Sequence, residues 1–572
     1  MQILKEHAKP YLRDIIFSII AVAVMAGASL WQPRLLQHVM KAIIADDQNS
    51  VMVYGIQLIV LAVIGLIAGV INTIFAAKIS QNIAADIRAH EYQKIQSFSF
   101  SNIEKFSAGN LVVRMTNDIN QVQQLVMMVF QSLTRIPILF IGAFILALMT
   151  LPRLWWIVIV MVILIALASQ VVFKRMGKYF IKIQNLIDKT NTLAKENLQG
   201  VRVVKSFNQE TNETQRFTEN SNNLTSVTTT IGYLFSTMIP MFMLISYLAI
   251  GVAVLFVGRG IVQHPNDLAA ITSFISYLMQ IFFAIMIGGM MSTFASRGFV
   301  SLGRIKEVLD TKADLTYNPT APEINLTGDV LFDNVSFTYP GDDQPALENV
   351  SFKVKSGEMI GIVGATGSGK STLAQLIPRL YDPTEGEVLV GGVNLKAVNE
   401  KSLRSTVSFV LQHAILFSGK ISDNLRQGKK TADTQDLKKA ADIAQASEFI
   451  NQYDDGFEHL VEERSANFSG GQKQRLSIAR GVVGSPKILI LDDSTSALDA
   501  RSEKLVQEAL NNELSETTTF VIAEKISSVI HADRILVLDE GKLVGIGSHK
   551  ELLSTSPIYT EIYETQKAKG GN

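Results

Sequence analysis

The sequence predicts a multi-domain protein, in which an all-α transmembrane domain with six helices is followed by an α/β domain. Apolar residues make up 48% of the 572 residues and charged residues only 18%, which is typical of a chain with a large membrane portion. The first half contains long stretches without charge, and the second half contains a glycine-rich phosphate-binding motif. We place the transmembrane domain in residues 1–312, a linker in residues 313–328 and the α/β domain in residues 329–572.

The charge balance and the cysteine count exclude several classes of function. Lys plus Arg and Asp plus Glu number 52 each, so no basic excess indicates a nucleic-acid partner. The chain has no cysteine, which rules out disulfides, thiolate metal sites and cysteine nucleophiles.

Six uncharged stretches are long enough to cross a bilayer, which takes roughly 17–25 residues. The stretches lie within Ile15–Pro33, Val51–Ala77, Ile136–Pro152, Leu154–Phe173, Leu224–Gly258 and Leu268–Ser296. The third is the shortest, and we expect its helix to begin earlier, near Gln121. Buried helices of a soluble protein are the alternative, but six such runs in one half of the chain favour a membrane.

The connections between these stretches alternate between short and long. The long ones, Lys78–Asn120 and Lys174–Asn223, carry most of the basic residues, so the positive-inside rule places them and both termini in the cytoplasm. Their helical periodicity predicts hairpins that extend ~30 Å from the membrane. At the tips, Ser101–Phe106 and Asn208–Asn212 could each form a short helix that docks on a cytoplasmic domain. No targeting segment is recognisable, which favours a bacterial plasma membrane.

After the linker, which is rich in Pro, Asn and Thr, apolar strand-like runs alternate with helical patterns. They predict a mixed sheet flanked by helices. The most informative motif is Gly364–Thr372, which matches G-x-x-x-x-G-K-[ST] between a strand and a helix. Lys370 would reach the β- and γ-phosphates, and Ser371 would ligate Mg²⁺. The residues predicted to cradle the phosphates are Gly364, Thr366, Gly367, Ser368, Gly369 and Thr372.

Motifs downstream of this loop carry a family resemblance. Phe468–Gln472 resembles the LSGGQ signature of ATP-binding cassette (ABC) transporters with Phe for Leu, and Ile488–Asp492 matches a Walker B strand. The whole chain therefore resembles an ABC exporter half-transporter, with one six-helix membrane domain and one α/β P-loop ATPase domain. The resemblance implies ATP and Mg²⁺ as ligands. It assigns adenine stacking to Tyr339, the sensing of Mg²⁺ and of the attacking water to Gln412, and Mg²⁺ binding to Asp492. It also assigns contact with a γ-phosphate to Ser469, Gly470, Gly471 and Gln472, and a link between the two ATP sites to Asp499.

Two positions depart from the family pattern. The catalytic glutamate that normally follows the Walker B aspartate is Asp493, whose oxygens retreat by roughly 1.5 Å because one methylene is missing. A misplacement of about 1 Å can cost ~10²-fold in a positioned reaction. The switch histidine is replaced by Glu524, which accepts hydrogen bonds only and would repel a γ-phosphate. A further change is Glu462, in a stretch resembling V-G-E-R, where glycine is usual.

In the family, two ATPase domains meet head to tail, so both departures fall in the site built on this chain's own P-loop. The resemblance therefore implies a heterodimer with a second ABC half-transporter. In such a heterodimer, the ATP site built on this chain's P-loop hydrolyses poorly, while Ser469–Gln472 completes the ATP site of the partner. A homodimeric lipid or drug exporter and an ATP-regulated membrane protein that does not transport remain open. An importer is disfavoured, because importers as a rule keep the two domains on separate chains.

The two last membrane stretches are rich in methionine and aromatic residues, which suit adaptable surfaces for hydrophobic small molecules. Lipid-facing or packing roles are the alternative for any one of them. No acidic residue lies within a stretch, so the chain offers a cationic drug no buried counter-ion. We expect a hydrophobic or amphipathic cargo, such as a drug.

Overall fold

The computed structural model describes residues 2–260, 262 and 266–570, which form two compact units. One unit comprises Met1–Gln96 with Gly109–Thr311, and the other comprises Ser97–Ala108 with Lys312–Asn572. The second unit thus includes a short piece of the first predicted hairpin. We call the first the membrane unit and the second the ATPase unit.

The described residues of the membrane unit are helical almost throughout. Six continuous helical segments are long and apolar enough to cross a membrane: Ile3–Ile44, Gln48–Gln96, Ala108–Thr150, Pro152–Gln199, Glu210–Gly260 and Asp267–Asp310. The α-helices themselves span Gln2–Ala8, Leu12–Ile44, Gln48–Gln96, Ala108–Val113, Ile119–Met128, Arg135–Thr150, Trp155–Gln199, Val201–Ser206, Glu210–Gly260 and Asp267–Asp310. The predicted six-helix architecture is confirmed, and each helix extends past its apolar stretch into the charged connections.

Two sequence expectations about this unit were wrong in detail. The third segment begins at Ala108 rather than near Gln121, and it contains two π-helical turns at Arg114–Asp118 and Val129–Leu133. At the second hairpin tip the short helix is Val201–Ser206, not Asn208–Asn212. Asn208 has a φ of +51°, a left-handed conformation that asparagine tolerates and that breaks the helix.

Helix packing in the membrane unit produces two apolar clusters. One contains Met161, Phe242, Phe274 and Tyr277 from the helices with long uncharged stretches, and the other centres on residues such as Ile83 in the charged extensions. Many large apolar side chains of the uncharged stretches remain exposed, as lipid-facing residues do.

The ATPase unit contains twelve strands in its described residues. They are β1 (Val330–Phe337), β2 (Leu347–Val354), β3 (Met359–Gly364), β4 (Glu385–Val390), β5 (Val393–Asn394), β6 (Val407–Val410), β7 (Gly419–Lys420), β8 (Leu460–Val461), β9 (Ile488–Asp492), β10 (Thr518–Ile522), β11 (Arg534–Asp539) and β12 (Lys542–Gly547). Its helices are Phe100–Phe106, Lys370–Leu376, Glu400–Thr406, Ile421–Arg426, Thr434–Ile443, Ser447–Ile450, Gly470–Val482, Ala500–Glu513, His549–Thr555 and Pro557–Gly570.

These strands form two main sheets, where the sequence had predicted one. The larger sheet has the order β12-β11-β3-β10-β9-β6, and all its pairs are parallel except β11 with β12. The smaller sheet, β2-β1-β4-β5, is antiparallel. The α/β class is confirmed, and the predicted linker contains no helix or strand.

The first hairpin tip packs within the ATPase unit. The Asn102 amide donates to the Lys312 carbonyl at 3.3 Å and to the Asp314 carboxylate at 3.0 Å, and Ser101 also donates to Asp314. The Phe100 ring lies edge-on to Tyr381, with 6.4 Å between centroids. The predicted short helix at this tip therefore exists, as Phe100–Phe106, and docks on the unit that carries the P-loop.

Candidate functional site

Four neighbouring parallel strands bring the candidate site together. Strand β3 leads into the P-loop, β10 ends just before Glu524, β9 ends at Asp492, and β6 ends two residues before Gln412. Because the carboxyl ends of parallel strands meet at one edge of a sheet, these residues converge. The Asp493 N–H continues the β9–β10 pairing by donating to the Ile522 carbonyl at 2.9 Å.

The P-loop conformation depends on its glycines. A Cβ at Gly364 would collide with the Leu538 carbonyl, and one at Gly369, whose φ is +95°, would lie 2.7 Å from the Ala346 carbonyl. Neither position therefore accommodates a side chain. The helix Lys370–Leu376 starts directly after Gly369, so its unpaired N–H groups face the loop, as phosphate binding requires.

The polar groups of this loop fit a phosphate and a metal ion. The Lys370 ammonium donates to the carbonyls of Gly364 and Ala365, at 3.0 and 2.8 Å. The Ser371 hydroxyl donates to the Asp492 carboxylate at 3.0 Å, which places two oxygen ligands suited to Mg²⁺ side by side. The buried Ser368 hydroxyl has no hydrogen-bond partner among the described residues.

A cleft of about 350 Å³ contains most of the predicted site residues. It is lined by Tyr339, Ala346, Thr366, Gly367, Gly369, Lys370, Ser371, Thr372, Gln412, Asp492, Asp493, Ile522 and Glu524. Gly364 and Ser368 support the loop behind this lining. Ala346 and Ile522 were not foreseen, since small or aliphatic side chains give no chemical signal in a sequence.

Opposing effects set the ionisation of the charged groups in this cleft. Burial raises the pKa of Asp492, and the neighbouring Asp493 carboxylate adds to this, while the Ser371 hydrogen bond and Lys370 oppose it. Burial lowers the pKa of the Lys370 ammonium, whereas the carboxylates of Glu524, Asp492 and Asp493 raise it. One cation therefore faces three carboxylates, two of them at the positions that depart from the family pattern.

The two departing residues lie where the catalytic glutamate and the switch histidine are expected. The Asp493 carboxylate accepts a long hydrogen bond from the Gln412 amide, at 3.4 Å, and its backbone has a φ of +45°. Glu524 is exposed, and the Gln566 side chain fixes its backbone by donating to its carbonyl at 2.8 Å.

Tyr339 lines the cleft and also belongs to an aromatic group. Its ring centroid lies 4.8 Å from that of Phe337 and 5.4 Å from that of Tyr381. Its hydroxyl lies 3.0 Å from the Thr372 hydroxyl and donates to Gln375 at 3.2 Å. The ring is thereby held beside the P-loop helix; its assignment to adenine stacking stays a prediction.

The signature residues Ser469, Gly470, Gly471 and Gln472 do not line this cleft. Ser469 begins the helix Gly470–Val482 with a reciprocal cap, in which its N–H donates to the Gln472 side chain at 2.8 Å. Asp499 is also outside the cleft and caps the helix Ala500–Glu513, accepting from Ser502 N–H at 2.9 Å. Direct nucleotide contacts of both segments remain predictions.

The fold and this cleft define a membrane-spanning half-transporter that carries its own nucleotide-binding domain. The family model "ABC transporter transmembrane region" matches residues 15–285, and the model "ABC transporter" matches residues 347–496. The chain belongs to the ABC transporter family, as an exporter-type half-transporter. ABC-type ATPase domains bind ATP, and ABC exporters work as dimers in a membrane.

Relatives extend over the whole chain. YfiB of Bacillus subtilis, named an uncharacterized ABC transporter ATP-binding protein, is 35% identical over 100% of both chains. YgaD of the same organism, named a putative multidrug export ATP-binding/permease protein, is 31% identical over 98% of both. A solved bacterial Atm1-family ABC exporter with ATP bound matches with a TM-score of 0.80 at 24% identity, covering 97% of this chain and 98% of that one. This last match supports the fold.

Proposed function

We propose that this chain is one half of a heterodimeric ATP-driven exporter that moves hydrophobic or amphipathic compounds, such as drugs, out of the cell. Its own Walker site holds ATP with little turnover. Its signature motif completes the active site built on the partner's P-loop. The drug class is supported by the printed name of the relative YgaD, a putative multidrug exporter.

One observation carries the proposal: both departures from the family pattern line the same cleft as Lys370, whereas the signature lies outside it. Random drift would be expected to affect both motifs. The hydrolytic residues are changed while the phosphate-binding loop and the Ser469–Gln472 capping are intact, and the changes at Phe468 and Glu462 lie outside both groups. This is the pattern of a site kept for binding.

The residues of the cleft divide into groups that hold the nucleotide and groups that fail to activate water. Lys370 and the loop N–H groups bind phosphate oxygens, and Ser371 with Asp492 orients Mg²⁺; bound ATP supplies the reactive phosphoanhydride. Asp493 is too short to reach a water that Gln412 positions. Glu524 offers no proton to a γ-phosphate oxygen. Nucleotide capture is therefore preserved and hydrolysis is slow.

The basic residues of the two hairpins support a cytoplasmic position for the ATPase unit and both termini, by the positive-inside rule. The signature helix presents its first N–H groups, at Gly470 and Gly471, to a γ-phosphate bound by the partner. Closure of two ATPase domains on ATP would move the docked tip helix Phe100–Phe106, and with it the membrane helices.

The test is the ATPase rate of the purified chain, alone and with a half-transporter whose Walker B strand is followed by Glu. We expect slow turnover alone and fast turnover of the pair. In the pair, Ser469→Arg should abolish turnover, because it blocks the partner's site, whereas Lys370→Ala should leave most of it. Fast turnover by the chain alone would refute the heterodimer.

A homodimeric exporter is the second candidate, favoured by the carboxylate that Asp493 keeps within hydrogen-bonding distance of Gln412. In that case the chain alone turns over rapidly, and Lys370→Ala and Ser469→Arg are equally damaging. ATP-dependent uptake of a dye into inverted vesicles separates either exporter from a protein that ATP only regulates.

A further inference from the structure

A cavity with a polar and an apolar side lies among the membrane helices, and one cation lines it. Its volume is about 370 Å³. Its polar lining is Ser29, Gln32, Gln131, Ser132, Arg135 and Gln280, and its apolar lining is Ile136, Leu139, Phe283, Ala284 and Ile287. No acidic residue is among them. Sequence reasoning missed Arg135 because it directly precedes the third uncharged stretch, and it concluded that the spans carry no charged site.

The cavity is formed by three of the helices that contain uncharged stretches. Gln32, Arg135 and Gln280 each lie twelve to fifteen residues from the helix ends at Ile44, Thr150 and Asp267 that the short links join. At 1.5 Å per residue this is about 18–22 Å along the helices. Gln280 lies inside the sixth uncharged stretch, whereas Gln32 and Arg135 lie at the edges of the first and the third. A charged side chain among membrane helices is costly, and such residues as a rule serve a substrate or ion pathway.

Arg135 has no counter-ion among the described residues. It forms no ion pair with them, and its Nε atom is buried without a hydrogen-bond acceptor. The Gln280 amide donates to the Ser29 carbonyl at 3.0 Å, while its own oxygen is buried and unpaired. Arg135 is half-buried, and leaving its buried Nε–H donor without an acceptor is unfavourable unless a ligand supplies one.

A local helix distortion directs these side chains into the cavity. Pro137 lacks the N–H that would bond the Leu133 carbonyl, and the turn before it, Val129–Leu133, is π-helical. The Thr134 N–H accordingly donates to the Val129 carbonyl at 3.1 Å. The wider turn brings Gln131, Ser132 and Arg135 to one face, and such π-turns are frequent at functional sites.

We propose that this cavity binds the acidic headgroup of the transported compound, so that the cargo is an anionic amphiphile with a carboxylate or phosphate group. Arg135 pairs with the anion, Gln32, Gln131 and Ser132 donate to its oxygens, and the Phe283 side of the cavity accepts the apolar body. The assignment rests on the proposed export function and narrows its substrate class.

Binding is tested without nucleotide on the full-length chain in phosphatidylcholine nanodiscs. A fluorescent fatty acid is the probe, and laurate, dodecyl phosphate, dodecanol and dodecyltrimethylammonium are competitors of equal chain length. We expect the two anions to compete about 10- to 100-fold better than the alcohol, as a charge-assisted hydrogen bond implies. Equal competition by anion and alcohol in the unaltered chain would overturn the assignment.

Substitutions test whether the preference for anions depends on Arg135. Arg135→Gln should abolish the preference for anions, Arg135→Lys should retain most of it, and Arg153→Gln, in the short link at the end of the same helical hairpin, should change nothing. An anion preference that survives in Arg135→Gln overturns the assignment. Displacement of the probe in phosphatidylglycerol nanodiscs, dependent on Arg135, would support the headgroup chemistry and identify a bilayer lipid as its source.

The outcome is separable from that of the proposed function. ATP-driven uptake of neutral dyes without any anion preference would refute this inference alone. Arg135-dependent anion binding without ATP-driven uptake would refute export alone.

Discussion

Replacing Asp493 by Glu and Glu524 by His should convert the weak site into a hydrolytic one. The Asp493 carboxylate lies 3.4 Å from the Gln412 amide, at the edge of hydrogen-bonding distance. A glutamate extends the carboxylate by roughly 1.5 Å, one C–C bond, toward the water that Gln412 would orient. Since about 1 Å of misplacement can cost ~10²-fold, we expect a gain of that order, or ~2.7 kcal/mol in the barrier.

The histidine adds a second contribution. Two like charges about 4 Å apart repel by ~1 kcal/mol in water and ~4 kcal/mol near a protein surface. Because Glu524 is exposed, the lower repulsion energy, ~1 kcal/mol, applies to it. Exchanging it for histidine removes this repulsion and supplies a hydrogen-bond donor. We therefore expect the double variant to exceed Asp493→Glu alone.

The assay is steady-state phosphate release by the purified chain without a partner half-transporter. Asp493→Asn with Glu524→Gln is the matched control, because it removes both charges without providing a base or an imidazole, and it should give no gain. Since residue 493 has a φ of +45°, a glutamate there is less well tolerated than aspartate, and thermal unfolding should be recorded for every variant. A wild-type chain as active as the double variant would show that the two departures do not limit hydrolysis.

Two further predictions concern binding and docking. Because burial raises the pKa of Asp492 in the folded chain, its stabilising contribution is complete only below the unfolded-state pKa and is lost as the pH rises through the folded-state pKa. The Asp492→Asn variant should therefore have a higher melting temperature than wild type at neutral pH, and this difference in melting temperature should shrink toward acid pH. The variant should, however, lose the stabilisation that Mg²⁺ and ATP add to wild type. Calorimetry across pH would contradict the prediction if the difference in melting temperature were constant. Asn102→Ala removes the hydrogen bonds to the Lys312 carbonyl and the Asp314 carboxylate. Both residues are exposed, so water can replace the donor, and the change should cost about 0.5–1.5 kcal/mol of docking of the tip helix. We expect faster proteolysis within Ser97–Ala108 at unchanged ATP affinity, and equal proteolysis of variant and wild type would argue against docking.

The sequence predicted the site better than the sheets. The P-loop, Asp492 and Gln412 could be placed because each follows an apolar run, and the ends of such runs converge in a parallel sheet. The assignment of strands to sheets could not be predicted, because a single sequence contains no information on strand pairing. Strand β1, for example, pairs with β4 across a long separation in sequence, as Val330 pairs with Val390. The charge-free stretches predicted the membrane helices. Because these stretches were selected for the absence of charged residues, Arg135 could not be counted among the residues of a membrane helix.

A poorly hydrolysing site can still be useful if its occupancy is transmitted, and the ATPase unit contains a contiguous set of contacts that could do so. The Tyr339 hydroxyl lies 3.0 Å from Thr372 on the P-loop helix, and its ring packs against Tyr381 at 5.4 Å between centroids. The Tyr381 ring also lies edge-on to Phe100 of the tip helix, with 6.4 Å between centroids. A nucleotide base that displaced Tyr339 would therefore act on the tip helix through two ring contacts. None of these contacts requires a cleaved phosphate, so selection can retain the P-loop, the tyrosines and the tip helix while the residues at 493 and 524 lose their catalytic identity.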